Sequence, residues 1–260
     1  MEYQKIEKTL INEYRTSIWN NFLNAIEEYK LIKNGDKIAV CISGGKDSML
    51  LAKCIQELQK QKIYDFEAVY LVMNPGYNIK NKEMIEYNAK ILNIPIKVFE
   101  SNIFEVVTTV DDSPCYLCAR MRRGFLYKNA KDSGCNKIAL GHHFNDVIET
   151  VMMGILYNGQ IQSMMPKLHS ANFEGMELIR PLYKVKEKDI ISWKDYNNLT
   201  FLQCACRFTE NLPTDKIFDS KRKEMKILIK QLKEKNPEVD SNIFNSMYNI
   251  NLDEIIGYKR

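Results

Sequence analysis

An apolar run, Lys37-Ile-Ala-Val-Cys-Ile42, passes without a break into Ser43-Gly-Gly-Lys-Asp-Ser48. Met49, Leu50, Leu51, Cys54, Ile55 and Leu58 then follow at helical spacing. The string reads as strand, glycine loop and helix. A strand that feeds directly into a helix cannot pair with its successor through a hairpin; it needs a crossover, and the next strand lies parallel to it. The pattern repeats along the chain. Phe66–Met73 reads as a strand, Lys80–Leu92 as a helix, Ile96–Phe99 and Lys137–Gly141 as strands, and Asn145–Tyr157 as a helix. Strands alternating with helices, joined by right-handed crossovers, predict an α/β fold with a doubly wound parallel sheet over about residues 30–200.

The flanks read differently. Ile6, Leu10, Ile18, Phe22 and Ile26 recur at helical spacing and stop at Asn34-Gly35, a helix stop and turn. Residues 1–33 are therefore expected to form a helical extension, residues 34–210 the α/β domain and residues 211–260 a set of C-terminal helices, beginning with the Lys-rich amphipathic stretch Asp215–Lys235. There is no repeat, low-complexity tract or Pro/Gly/Ser-rich linker, so both sets of helices are expected to pack on one body. A chain of 260 residues buries a core without disulfides or metal staples. Thirty-seven Lys and Arg against 33 Asp and Glu leave a net charge of +4, which permits a phosphate-bearing partner without demanding one. No apolar run approaches the ~20 residues of a membrane span, so no membrane partner is expected. Seven cysteines, an odd count, with an amphipathic helix at the N-terminus in place of a secretory signal, predict a cytoplasmic protein. In that compartment clustered cysteines serve as metal ligands or in sulfur chemistry.

The glycine loop sits where open α/β sheets bind their ligands, at the carboxyl end of a first strand. Gly44 and Gly45 let the backbone come close to an anion, Ser43, Lys46 and Ser48 add donors, and the following helix begins near Asp47 with its positive end in the loop. This is a phosphate cradle, distinct from the longer P-loop and from GxGxxG. The bland alternative, a Gly-Gly turn with solvated Lys46 and Asp47, leaves the second glycine unexplained. Met73, at the end of the second strand, and Gly141, His142 and His143, at the end of the strand beginning at Lys137, belong to the same nucleotide site.

Pro114-Cys115-Tyr-Leu-Cys118 stands before a helix expected over Ala119–Ser133, which opens with Arg120, Arg122 and Arg123. Two thiolates at this spacing can grip one metal, helped by the helix dipole and the arginines. Further ligands are available downstream at Cys204 and Cys206. Cys41, Cys54 and Cys135 lie in or beside apolar patterns and read as core residues.

Ser43–Ser48 resembles the pyrophosphate loop of the N-type ATP pyrophosphatases. Further strings narrow the resemblance to the tRNA 2-thiocytidine synthetases: Pro114-Cys-Tyr-Leu-Cys-Ala-Arg-Met-Arg-Arg-Gly124, Ile138-Ala-Leu-Gly-His-His143, Asp146-Val-Ile-Glu-Thr150, Met165-Pro-Lys-Leu168, Ile179-Arg-Pro-Leu182, Glu187-Lys-Asp-Ile190 and Cys204. The resemblance implies an ATP- and Mg²⁺-dependent tRNA sulfurtransferase. Such an enzyme adenylates the C2 carbonyl of a cytidine, at position 32 in the family, and replaces the oxygen with sulfur. It also implies a [4Fe–4S] cluster on three cysteines, here Cys115, Cys118 and Cys204. Lys46, Asp47 and Asp146 take the catalytic positions, and Arg120, Arg122, Arg123 and Arg180 are candidates for RNA phosphates.

The implied partners are tRNA and a sulfur donor such as a cysteine desulfurase; the sequence leaves open whether a second copy of the chain, as a homodimer, joins them. Two departures stand out. Cys204-Ala-Cys206 shifts the family's second cysteine by one residue, which leaves open whether Cys204 or Cys206 is the ligand, and leaves room for a four-thiolate Zn²⁺ site. Asn145 replaces the first of two aspartates, and only Asp146 remains. A thiolase acting on another tRNA base or a small metabolite, and a non-catalytic nucleotide-binding zinc protein, are the alternative readings.

Overall fold

The computed structural model describes residues 2–107, 114–202 and 221–257. Its chain opens with helix α1 (Glu2–Ile11), a π-helical turn (Arg15–Trp19) and α2 (Asn20–Glu28). The expected extension is therefore helical, with Ile6, Leu10, Ile18, Phe22 and Ile26 all buried. It is fastened to the body by a fully buried lysine. Lys53 donates from Nζ to Glu7 at 2.6 Å, to Gln56 at 2.8 Å and to the Leu92 carbonyl at 2.8 Å, so the ammonium leaves water with its hydrogen bonds replaced.

The sheet is built from β1 (Lys37–Ile42), β2 (Glu67–Asn74), β3 (Ile96–Glu100), β4 (Lys137–Ala139), β5 (Lys167–His169) and β6 (Glu177–Ile179), in the order β3-β2-β1-β4-β6-β5. Val40, at the centre, pairs with Tyr70 on one side and Ala139 on the other. Every pairing is parallel except that of the edge strand β5, which runs antiparallel to β6. That hairpin escapes a periodicity reading because each of its strands is three residues long. Strand β4 is shorter than expected, although the Leu140 amide continues the ladder to the Ile179 carbonyl at 3.0 Å.

The remaining helices are α3 (Lys46–Gln61), α4 (Ile79–Ile91), α5 (Ile103–Val107), α6 (Pro114–Asp132), α7 (Phe144–Asn158), α8 (Glu187–Tyr196), α9 (Lys221–Lys235) and α10 (Val239–Ser246). The chain winds outward from β1 in both directions, so the carboxyl ends of β1 and β4 mark the switch point at which open α/β sheets have their ligand crevice. One difference from the sequence reading affects the chemistry. Helix α6 begins at Pro114, not Ala119, because proline is well suited to a first helical position; the Cys-x-x-Cys string is thus the helix's first turn.

The chain divides into two compact units, Met1–Phe144 with Pro166–Asn211, and Asn145–Met165 with Leu212–Arg260. The sheet belongs to the first. Under it, Tyr127 and Ala130 of α6 pack with Cys41, Cys135 and Ile138, and Cys54 is buried on α3, so the three cysteines read as core residues are core residues. Burial pushes the Cys41 thiol up to about 12, which removes it from thiolate chemistry. In the second unit α9 lies against α7, with Arg222 reaching Asp146, Glu149 and Thr150. Of the Lys-rich stretch expected from Asp215, the part from Lys221 is helical; residues 215–220 lie outside the described ones.

Candidate active site

Two short glycine contacts shape the cradle. Gly44 has a φ of +87°, and a Cβ there would stand 2.7 Å from Ile85 Cγ1 and 2.8 Å from Leu202 Cδ1. Only glycine meets both conditions. Gly45, by contrast, is the N-cap of α3 in extended conformation and, having no side chain, gives the helix no side-chain cap of its own. The first amides of α3 are therefore suited to an external acceptor, and the dipole favours an anion there. The loop is braced from within. Ser48 Oγ donates to the Gly45 carbonyl at 3.0 Å and accepts the Ser43 amide at 3.1 Å, and the two serine hydroxyls lie 3.2 Å apart.

Lys46 Nζ stands 3.2 Å from Asp47 Oδ1 and 3.2 Å from Glu187 Oε1, at the start of α8. Burial works against the ammonium, but the two carboxylates outweigh it and raise its pKa. Lys46 is thus a fixed positive charge at the mouth of the loop. Among the described residues Asp47 Oδ1 is buried and accepts no hydrogen bond, while His143 Nε2 lies 3.8 Å from it. A buried carboxylate oxygen in that condition suits a hard cation such as Mg²⁺.

The neighbouring strand ends complete the crevice. A Cβ on Gly141 would lie 3.0 Å from the Asp47 carbonyl carbon and the Ser48 nitrogen, so this glycine lets the end of β4 touch the first turn of α3. His143 is buried beside Asp47. His142 accepts at Nδ1 from Arg180 Nε at 3.3 Å, and Arg180 is itself buried at the end of β6. Met73 is buried in β2. Its neighbour Asn74, which sequence reasoning passed over, accepts the amides of Gly76 at 3.1 Å and Tyr77 at 2.7 Å and so forms the loop after β2. The signal for it was a lone polar residue closing an apolar strand. Glu187 was visible only as part of a string; its partner is 141 residues away.

On α6, Cys115 and Cys118 occupy the first turn, three residues apart and so on one face of the helix. Cys118 is buried; the side chain of Cys115 and all of Cys204 and Cys206 lie outside the described atoms. Among the described residues no group of three metal-ligating side chains occurs. The donor set suits an iron–sulfur cluster or zinc, since both take thiolates and the helix N-terminus favours the thiolate form. Arg120 and Arg123 are exposed and Arg122 is half-buried, with its guanidinium 5.6 Å from the centre of the Phe104 ring.

Asp146 lies in the second unit, in the first turn of α7. Its carboxylate meets Arg222 Nη1 at 3.3 Å, and the same nitrogen reaches Glu149 Oε2 at 3.1 Å.

Residues 14–208 match the model of the PP-loop domain. The chain is 40% identical over 235 residues to tRNA-cytidine(32) 2-sulfurtransferase 1 of Francisella philomiragia subsp. philomiragia, covering 87% of this chain and 86% of that one. It is 38% identical over the same length to tRNA-cytidine(32) 2-sulfurtransferase 2 of Francisella tularensis subsp. tularensis, covering 87% and 88%. Among solved structures, the U34-tRNA thiolase NcsA from Methanococcus maripaludis with its [4Fe-4S] cluster superposes with a TM-score of 0.69 at 22% identity, over 93% of this chain and 80% of that one. That likeness concerns the fold. No helix among the described residues is long and apolar enough to cross a membrane.

Proposed function

The chain belongs to the PP-loop family and, within it, to the tRNA-cytidine(32) 2-sulfurtransferases, and from that premise we propose that it uses ATP to replace the C2 carbonyl oxygen of cytidine 32 in tRNA with sulfur. The observation that carries the reading is the first turn of α3 behind Gly44-Gly45, with Lys46 charged beside it.

Oxide is too poor a leaving group for direct exchange. The cytosine O2 attacks the α-phosphorus of ATP, the bond to the β-phosphate breaks, and pyrophosphate leaves into Ser43–Ser48. There the amides of α3 and Lys46 meet the charge that develops on the leaving group. Asp47 would hold Mg²⁺, which neutralises polyphosphate charge when bound. His143 stands against Asp47, and Arg180 fixes the ring of His142, so the crevice wall keeps its shape as the adenylated base forms. Attack of sulfur at C2 then expels AMP.

A [4Fe–4S] cluster on Cys115, Cys118 and Cys204 fits the thiolate donors at the start of α6, and when bound it supplies the activated sulfur. Asp146 has the remaining catalytic role inferred from the sequence. Arg120 and Arg123, being exposed, are suited to RNA phosphates, with Arg122 beside them. The sulfur comes from a donor such as a cysteine desulfurase, and the reaction takes place in the cytoplasm.

The test is nucleoside analysis of tRNA from a strain lacking the gene. Loss of 2-thiocytidine, restored by the intact gene and not by a Lys46→Ala copy, is expected. Retained 2-thiocytidine with loss of a different thiolated base would replace the substrate.

A further inference from the structure

Glu187 contributes something that the phosphate cradle does not need for binding. Its carboxylate, in the first turn of α8, stands 3.2 Å from Lys46 Nζ and is largely withdrawn from solvent. Asp47 is the other carboxylate on that ammonium, at the same distance, but it sits on the same helix as Lys46 and moves with it. Glu187 comes from a separate element. The Lys46 ammonium is therefore shared between two negative groups at the place where a phosphate must come. An anion entering the cradle has to take the ammonium from Glu187 or share it with Glu187. In a half-buried site the charge of the ammonium is divided between the two, so each weakens the other's hold on it.

We propose that Glu187 is a positioning residue that competes with phosphate for Lys46: it holds the ammonium while the cradle is empty and takes it back when pyrophosphate leaves, so that it sets product release. The inference rests on the reading of Ser43–Ser48 as a pyrophosphate site. It concerns the β- and γ-phosphate end of the nucleotide alone. Removing the negative charge of Glu187 while keeping its shape should tighten the grip on pyrophosphate and leave the grip on AMP unchanged. A residue that merely builds the N-terminus of α8 would have no such preference for one product over the other.

The experiment is a double-mutant cycle read by calorimetry, with inorganic pyrophosphate plus Mg²⁺ and AMP as separate probes. For Glu187→Gln the dissociation constant of pyrophosphate is expected to fall about tenfold, with AMP unchanged within about twofold. Glu187→Asp keeps the charge but draws it back by one methylene, and should fall between wild type and Gln. It also keeps the question open to measurement should the Gln variant fail to fold. Combined with Lys46→Ala, the Glu187→Gln effect should vanish, because the carboxylate acts through the ammonium. In pre-steady-state turnover, pyrophosphate release from Glu187→Gln should be slower than from wild type, with a lower KM for ATP.

Weaker pyrophosphate binding in Glu187→Gln would overturn the proposal, and so would an equal tightening with and without Lys46. Failure of the wild-type protein to bind pyrophosphate at all would strike the underlying reading of the loop. Wild-type binding that depends on Lys46 but ignores Glu187 would strike this inference alone.

Discussion

A Cβ added to Gly141 would stand 3.0 Å from both the Asp47 carbonyl carbon and the Ser48 nitrogen. The end of one strand is thus pressed onto the peptide that opens the helix after another, and the two halves of the crevice are held in register by the absence of a side chain. Gly141→Ala should push the first turn of α3 out of place, with a loss of about 1–3 kcal/mol of stability from overpacking and a higher KM for ATP. Denaturant unfolding and a nucleotide titration read the two effects. A variant with unchanged nucleotide affinity would mean that the close approach serves packing and not the site.

Lys46→Ala should reduce pyrophosphate release by about 10²–10³-fold, the range typical of removing one preorganised group from a developing charge. Circular dichroism should be unchanged, since the Lys46 ammonium lies at the mouth of the loop. Wild-type rates of pyrophosphate release in the presence of tRNA would remove Lys46 from the chemistry.

Cys115→Ala and Cys118→Ala should each strip the iron and abolish thiolation while ATP binding persists, because Cys118 lies on α6 and the ATP loop between β1 and α3. Cys204→Ala should do the same and Cys206→Ala should not. Iron counts on anaerobically purified variants decide between the two downstream cysteines. One zinc per chain and no iron would point to a closed thiolate site.

Glu149 makes stability depend on pH. Burial pushes its carboxyl from the ordinary 4.5 up to about 7, against the opposing pull of Arg222 and with the support of the Asp146 charge. The folded state then holds the proton more tightly than the unfolded chain, so stability should fall as pH rises from about 4.5 to about 7 and level off above. Glu149→Gln should flatten that slope. Melting curves across the range test it, and a slope that survives the substitution would place the titration on another group.

Much of this was readable because it is local. Strand β1 lies where the apolar run Lys37–Ile42 put it, and β2 and α4 are each shifted by one residue. The glycine loop could be recognised because its chemistry is contiguous. What could not be read was contact across the chain. Nothing near Glu187 indicates that it faces Lys46, and nothing near Arg180 indicates that it holds His142, 38 residues earlier. The hairpin of β5 and β6 was hidden by brevity, and the start of α6 by the habit of reading Cys-x-x-Cys as loop when Pro114 had already begun the helix.

Helix α6 carries its thiols at one end and its anchorage at the other. Tyr127 and Ala130 are sunk in the core under the sheet, and the Tyr127 ring stacks on Phe173 at 5.1 Å. Small zinc domains gain their fold from the metal and lose it on chelation. Here Tyr127 and Ala130 tie the helix to the core through side-chain packing, so removing a metal from its thiol end is expected to leave α6 in place. On that expectation, loss of the inorganic part would call for a repair in place of a replacement.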